Sequence, residues 1–209
     1  MKAVLNYLVV ALAFILLLSS CAKTYYSVDS KTLAQKHHQS VAIMPSFVSI
    51  AATGVNRRAV AEVLEKQEAV EALNFQQAIH AWMQKSKSEG KVRVEIQDIE
   101  TTNARLKNAG YPETLLTDEK LCEVLGVDGI IVSNFELSQP VSVGDAIALG
   151  VTVGIWLSTN EVRGTIAISD CTNKRIIWTY QSSKMDGNDL RTIVNKFMKK
   201  AGKKMPYVK

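Results

Sequence analysis

The sequence lacks the residue patterns on which most enzymes depend. It contains no G-x-S-x-G, H-E-x-x-H, P-loop or dinucleotide-binding glycine pattern. Its 25 basic and 20 acidic residues form no basic stripe with interleaved aromatic residues, which argues against a nucleic-acid surface. We therefore predict a protein that is not an enzyme, needs no soluble cofactor and binds no nucleic acid.

Cysteine is also scarce: the three residues present are an odd number and cannot all pair in one chain. Cys122 is typical of a small core residue, and Cys171 lies in a predicted turn. A Cys122–Cys171 disulfide can form in an oxidising compartment, but the sequence spacing does not require it. His37 and His38 have no carboxylate or thiol at ligand spacing, so we predict loop polarity there and no metal site.

The N-terminal hydrophobic run is too short to cross a bilayer. It covers residues 7–18, which is 12 residues, whereas a membrane-spanning helix needs about 20. With Lys2 before it and small residues after it, this run is typical of a secretory signal peptide, which we place at residues 1–20.

Leu18, Ser19 and Ser20 stand directly before Cys21, an order that resembles the lipobox of bacterial lipoproteins. The resemblance implies cleavage before Cys21, diacylation of its sulfur and acylation of the new N-terminus. Each buried methylene contributes about 0.8 kcal/mol, so two or three chains hold a protein firmly on a membrane. Residue 22 is Ala rather than Asp, and in such lipoproteins this favours the outer membrane, which predicts a lipid-anchored protein facing the periplasm.

The remainder predicts a single α/β domain at residues 41–209, preceded by a flexible tether at residues 21–40, which are polar and aperiodic. At residues 121–138 a helix capped by Thr117 turns into the apolar run Ile130-Ile131-Val132, typical of a central strand covered on both faces. We expect a mixed sheet with helices packed on it. Further strands are predicted at residues 41–46, 92–99, 162–170 and 175–184, a loop at 46–55, and helices at 56–88, 101–107 and from Gly187 or Asn188 onward.

Three details of these elements can be tested against the structure. The long helix should bend or break near Leu73 and Asn74, where its apolar spacing shifts. Its residues Phe75 and Trp82 should lie in the core. Asn173 should occupy the left-handed position of the hairpin turn between the last two strands.

The segments 41–45, 125–132 and 170–178 occur in an order that resembles a group of envelope α/β domains. The group includes curli-secretion lipoproteins of the CsgG type, penicillin-binding-protein activator lipoproteins and the N-terminal domain of TolB. The segments 102–110, 159–162 and 203–207 look similar to an uncharacterised set of bacterial lipoproteins with this domain. The resemblance implies a scaffold or assembly role and brings no catalytic residues with it.

Residues 145–157 alternate large and small side chains in a way that allows several roles. The length approaches that of a membrane β-strand, while Gly150 and Gly154 have the spacing of closely packed helices. The alternatives are an inserted core element, a membrane or partner contact through Gly150, Gly154 and Trp156, and a pore-forming strand.

The last predicted helix is amphipathic. Its apolar face should pack on the core, and its basic face consists of solvated lysines or of lysines that contact anionic headgroups. The residues proposed for such contact are Lys199, Lys200, Lys203 and Lys204.

The predicted function is that of a lipid-anchored, non-catalytic scaffold or assembly factor that contacts another envelope protein. The alternative is a subunit of an oligomeric outer-membrane secretion or channel complex, in which the chain would form a homo-oligomer.

Overall fold

A computed structural model of the protein describes residues 22–27, 29–51, 61–138, 161–185, 187 and 189–209. Within them lie seven strands and five helices on one mixed sheet, which confirms the predicted α/β class. Their order is β1 (Ala22–Tyr26), α1 (Ser30–Lys36), β2 (Ser40–Ile43), β3 (Phe47–Ala51), α2 (Ala61–Ser88), β4 (Glu95–Ile96), α3 (Ile99–Asn108), α4 (Asp118–Leu125), β5 (Gly129–Ser138), β6 (Glu161–Asp170), β7 (Arg175–Met185) and α5 (Leu190–Gly202).

Strand β5 is central, as predicted. It pairs along its whole length with antiparallel β6, from Gly129 opposite Asp170 to Ser138 opposite Glu161. On its other side its first half pairs with parallel β2 and its second half with parallel β3. The order across the sheet is β1-β7-β6-β5-β2-β4, with β3 paired to β5 beyond the end of β2.

The strand directions define two ends of the sheet. At the Ser138 end, β3, β5 and β7 finish and β1 and β6 begin. At the Gly129 end, β5 and β7 begin and β6 finishes, beside short β2 and β4. The N-terminal strand β1 is an edge strand that runs from the first end toward the second, with Ala22 opposite Ser182 and Tyr26 opposite Trp178.

Helices α2 and α5 cover one face of the sheet. Phe75 of α2 stacks on Phe135 of β5 with ring centroids 3.9 Å apart, and Phe197 of α5 meets Phe135 edge-on. Phe75 is fully buried and Trp82 packs at the rim of the same core, which confirms the core role of both. Burial of such aromatic side chains accounts for much of the stability, since Phe→Ala in a core costs about 3–5 kcal/mol.

Helices α3 and α4 cover the other face only at the Gly129 end. Thr117 caps α4 as predicted, because its side chain accepts a hydrogen bond from the Lys120 N–H. The helix ends at Gly126, whose left-handed φ of 59° suits glycine. Leu121 and Leu125 then pack around Ile130, so both faces of β5 are buried at its start but not at its end.

The prediction of a flexible tether at residues 21–40 is wrong for the residues of this range that the structure describes. Ala22–Tyr26 forms β1, and Ser30–Lys36 forms α1. The segment is polar because an edge strand exposes much of its surface, and its partner β7 lies more than 150 residues away in sequence. The sequence around β1 therefore has no local signal strong enough to predict it.

Four element predictions need smaller corrections. The loop predicted at 46–55 contains β3, in which Val48 and Ile50 face the core opposite Phe135 and Leu137. The strand predicted at 92–99 is reduced to the two residues of β4. The helix predicted at 101–107 begins at Ile99, because Asp98 accepts a hydrogen bond from the Thr101 N–H. Helix α2 runs without a break through Leu73.

Two predictions, of a turn residue and of a helix start, were wrong by one to three positions. Lys174, not Asn173, has the positive φ in the β6–β7 turn. Asn173 instead donates from its backbone and side-chain nitrogens to Asp170, which fixes the turn by an alternative route. The last helix begins at Leu190 with Asp189 as its cap, not at Gly187 or Asn188. Among the described helices none has the length and apolarity needed to cross a bilayer.

Cys122 of α4 and Cys171 of the β6–β7 turn form a disulfide with a Cα–Cα distance of 5.5 Å. The bond joins elements 49 residues apart in sequence and fastens α4 to the sheet. Because structural disulfides persist in oxidising compartments, this bond favours a location outside the cytoplasm.

We expect the double variant Cys122→Ala/Cys171→Ala to lose about 2–4 kcal/mol of unfolding free energy, because the unfolded chain regains the freedom that the loop removes. Urea unfolding followed by circular dichroism measures this loss. Reduction of the unaltered protein serves as the matched control and should produce a similar loss. Equal stability of oxidised, reduced and double-variant protein would contradict the disulfide.

Candidate functional site

A buried cluster joins three distant parts of the chain at the Gly129 end of the sheet. His38 Nε2 lies 2.5 Å from Asp170 Oδ1, and His38 Nδ1 lies 2.6 Å from the Tyr207 hydroxyl. We call His38, Asp170 and Tyr207 the latch. It ties the segment between α1 and β2 to the end of β6 and to the C-terminal segment.

The backbone around the latch explains why it forms here. Asp128, in the turn before β5, accepts hydrogen bonds from the backbone N–H groups of Gln39 and Ser40, which fixes the chain directly after His38. Gly129 follows, and a Cβ atom there would lie 2.8 Å from His38 Nδ1 and 2.9 Å from the Tyr207 hydroxyl oxygen. Only glycine leaves room for both rings.

The protonation states of the latch follow from burial and hydrogen bonds. Burial alone would raise the pKa of Asp170, but hydrogen bonds from His38 and Asn173 outweigh it and lower this pKa below the ordinary 3.8. Burial, together with the charges of Asp170 and Asp128, raises the pKa of Tyr207 well above its ordinary value. The carboxylate can therefore accept from His38 Nε2–H, while the Tyr207 hydroxyl stays protonated and can donate to Nδ1.

The order carboxylate, imidazole, hydroxyl is that of a nucleophilic triad, but the geometry does not suit catalysis. The side chains of His38 and Asp170 have no exposed surface. Tyr207 is buried and its raised pKa opposes the phenolate that a nucleophile would need. The adjoining groove, of about 550 Å³, is open, and His38 and Tyr207 line it together with apolar and polar residues of α1, β4 and the C-terminal segment. The latch therefore holds segments together.

A second feature is a part of the sheet that no described helix covers. Its residues alternate with core residues along five strands. Residues that pair with one another across neighbouring strands form a continuous row on this surface, from β3 through β5, β6 and β7 to β1. We call this surface the open sheet face, and it comprises Lys23, Tyr25, Phe47, Ser49, Asn134, Glu136, Arg163, Thr165, Thr179, Gln181 and Ser183.

The open sheet face combines polar side chains with two exposed aromatic rings. Tyr25 on β1 is 57% exposed and Phe47 on β3 is 59% exposed. Between them the shallow surface is lined by Asn134, Thr165 and Gln181. Exposed aromatic rings among polar neighbours are the composition from which protein interfaces are built.

The structure places few of the site residues predicted from the sequence. Cys21, Leu18, Ser19 and Ser20 lie outside the described residues, and so do Gly150, Gly154 and Trp156. The predicted basic residues Lys199, Lys200, Lys203 and Lys204 are exposed on the last turn of α5 and just beyond it. The opposite side of α5 is buried, as its amphipathic pattern predicts.

Sequence reasoning missed the latch. His38 was assigned to loop polarity, whereas it is buried with partners 132 and 169 residues away. No spacing rule connects residues so far apart. In the described ranges, no group of three or more His, Cys, Asp or Glu residues is placed to hold a metal ion.

Neither a family model nor a curated protein sequence matches the chain. Among solved structures, lipoprotein GNA1162 from Neisseria meningitidis aligns at 12% identity over 78% of this chain and 92% of its own, with a TM-score of 0.37. The PelC dodecamer from Paraburkholderia phytofirmans aligns at 7% identity over 90% and 98%, with a TM-score of 0.45. The C-terminal domain of LpoB from Salmonella enterica aligns at 12% identity over 73% and 90%, with a TM-score of 0.33.

One of these similar structures is described as a lipoprotein. At such low identities and TM-scores they assign neither an activity nor a partner to this chain. The finer resemblance to CsgG-type lipoproteins, to penicillin-binding-protein activators and to TolB stays a prediction.

We expect Asp170→Asn to lower the unfolding free energy at pH 7 by about 1–3 kcal/mol, because the amide replaces an acceptor of three hydrogen bonds with a group that can present N–H to N–H. Urea unfolding measures the loss. Tyr25→Phe, which removes an exposed hydroxyl, is the control and should stay within about 0.5 kcal/mol of the unaltered protein. Equal effects of the two substitutions would contradict the latch.

The stability difference between the unaltered protein and Asp170→Asn should also depend on pH. The pKa of Asp170 is lowered in the folded state, so its stabilising contribution is present above the ordinary pKa of 3.8 and is lost as the pH falls through the folded pKa. The stability difference between the unaltered protein and Asp170→Asn should therefore shrink as the pH falls below 3.8. Unfolding curves at a series of pH values test this, and a difference that grows with acidity would contradict it.

Proposed function

We propose that the protein is an outer-membrane lipoprotein, anchored through acylated Cys21, that acts as a non-catalytic scaffold or assembly factor facing the periplasm. The observation that supports this most is the open sheet face: a rigid surface, presented by five paired strands, with exposed rings at Tyr25 and Phe47. Such a surface suits contact with another protein.

Two further observations support the same proposal. The Cys122–Cys171 disulfide fits a chain exported from the cytoplasm, as the signal peptide predicts. In the part of the chain that the structure describes, the carboxylate and imidazole of the latch have no exposed side-chain surface, which supports a binding role over a catalytic one. The alternative of an oligomeric channel subunit depends on residues 145–157, which lie outside the described residues, and stays a prediction.

The anchor is tested by lipid labelling. In cells grown with labelled palmitate, the unaltered protein should become labelled. Cys21→Ser should not, because serine lacks the thiol on which acylation depends. The matched control is Cys122→Ala/Cys171→Ala, which keeps Cys21 and should be labelled normally. Equal labelling of Cys21→Ser and the unaltered protein, or none in either, would refute the anchor.

The interaction surface is tested by photocrosslinking in intact cells. A photoreactive residue at Gln181, in the middle of the open sheet face, should give a discrete product, whereas one at Lys200 on α5 should not. Adding Phe47→Ala should reduce the Gln181 product several-fold, because the exposed ring supplies much of the apolar contact. Leu115→Ala, at an apolar side chain that is 91% exposed elsewhere on the surface, is the control. Identical products from Gln181 and Lys200, unaffected by Phe47→Ala, would rule out this surface.

A further inference from the structure

The fold begins without a spacer after the proposed lipid. Ala22 is already paired with Ser182 of β7, so one peptide bond, about 3.8 Å between Cα atoms, separates the acylated residue from the sheet. This inference rests on the proposed acylation of Cys21. An anchor attached directly to a paired strand restricts how the domain can turn, whereas a flexible tether would leave its orientation free.

The position of Ala22 selects one end of the molecule. Its partner Ser182 lies three residues before the end of β7 at Met185. From Ala22 the chain runs along β1 toward the Gly129 end and reaches Tyr26, which lies about 13 Å from Ala22 at 3.3 Å per residue. The Ser138 end of the sheet is therefore the end nearest to the anchor.

We propose that the Ser138 end of the sheet rests on the bilayer that holds the lipid anchor, with β1, β7, β6 and β5 standing upright on it. The end of β7 extends about 10 Å beyond the level of Ala22. The headgroup layer of a bilayer is about 5–7 Å deep on each side. The residues of β5, β6 and β7 at this end of the sheet thus reach the headgroups.

The exposed residues at this end suit a polar headgroup layer. Ser138 and Glu136 at the end of β5 are exposed and polar, and Lys23 is exposed one residue after Ala22. A hydrocarbon environment would be costly for such groups, whereas headgroups and their water can satisfy them. These described residues therefore contact the membrane surface and not its interior.

This orientation favours solvated lysines on α5 over lysines that contact anionic headgroups. The Tyr26 hydroxyl donates to the Lys204 carbonyl, so the lysine-rich end of α5 lies beside the far end of β1. Lys199, Lys200, Lys203 and Lys204 then point into the periplasm, away from the bilayer that carries the anchor. The open sheet face stands beside the membrane, where a partner can approach it laterally.

The orientation can be measured by fluorescence quenching in vesicles. The only thiol available for labelling is an introduced one, since Cys122 and Cys171 are bonded and Cys21 is acylated. Full-length lipidated protein is labelled with bimane at Ser138→Cys, at Tyr25→Cys or at Lys203→Cys. It is then bound to phosphatidylethanolamine and phosphatidylglycerol vesicles that contain a lipid with a nitroxide on its headgroup.

We expect quenching at position 138 to be at least three-fold greater than at position 25 or 203. Strongest quenching at position 25 would mean that the domain lies on its β1 edge, and strongest quenching at 203 would mean that the lysines face the bilayer. Equal quenching at all three would mean that the domain turns freely, and each of these three results overturns the orientation.

Flotation of the same samples separates the orientation from the anchor. Protein that floats with the vesicles but shows one of the contrary quenching patterns overturns the orientation and leaves the anchor standing. Protein that does not float overturns both. Cys21→Ser with the label at position 138 is the control and should show neither flotation nor quenching.

Discussion

The structure depends on the pairing of β5 along both of its edges. Ten consecutive residues of β5 lie opposite β6, while β2 and then β3 occupy its other edge. Because side chains alternate along a strand, this pairing sends Ile131, Phe135 and Leu137 into the core under α2 and α5. A shift of one residue would turn Phe135 and Leu137 out of this core and onto the face that is exposed at this part of β5, so the register of the sheet is fixed at this strand.

The same pairing separates the two ends of the molecule. At the Gly129 end, α3, α4, the disulfide and the latch close both faces of the sheet and hold the C-terminal segment against His38. At the Ser138 end the second face has no described helix over it, and the edge strand β1 begins. The disulfide and the latch thus lie at one end of the sheet, while the surfaces proposed to meet a membrane and a partner lie toward the other.

Sequence reasoning succeeded where the signal is local and failed where the partner is distant. The cap at Thr117, the turn at Gly126 and the apolar run that follows lie within a few residues of each other, and they predicted α4 and β5. Strand β1 and His38 obtain their burial and hydrogen bonds from β7, Asp170 and Tyr207, far along the chain. A polar segment in such a position looks like a tether until the fold is known.

The central claim is that the folded domain starts at Ala22, so that the anchor and the sheet form one rigid unit. Amide hydrogen exchange of residues 22–26 in the lipidated protein tests it most directly. The account predicts that amides of β1 directed at β7 exchange at least about ten-fold more slowly than those of an unstructured peptide. Exchange at the unstructured rate throughout β1, with β7 still protected, would contradict it.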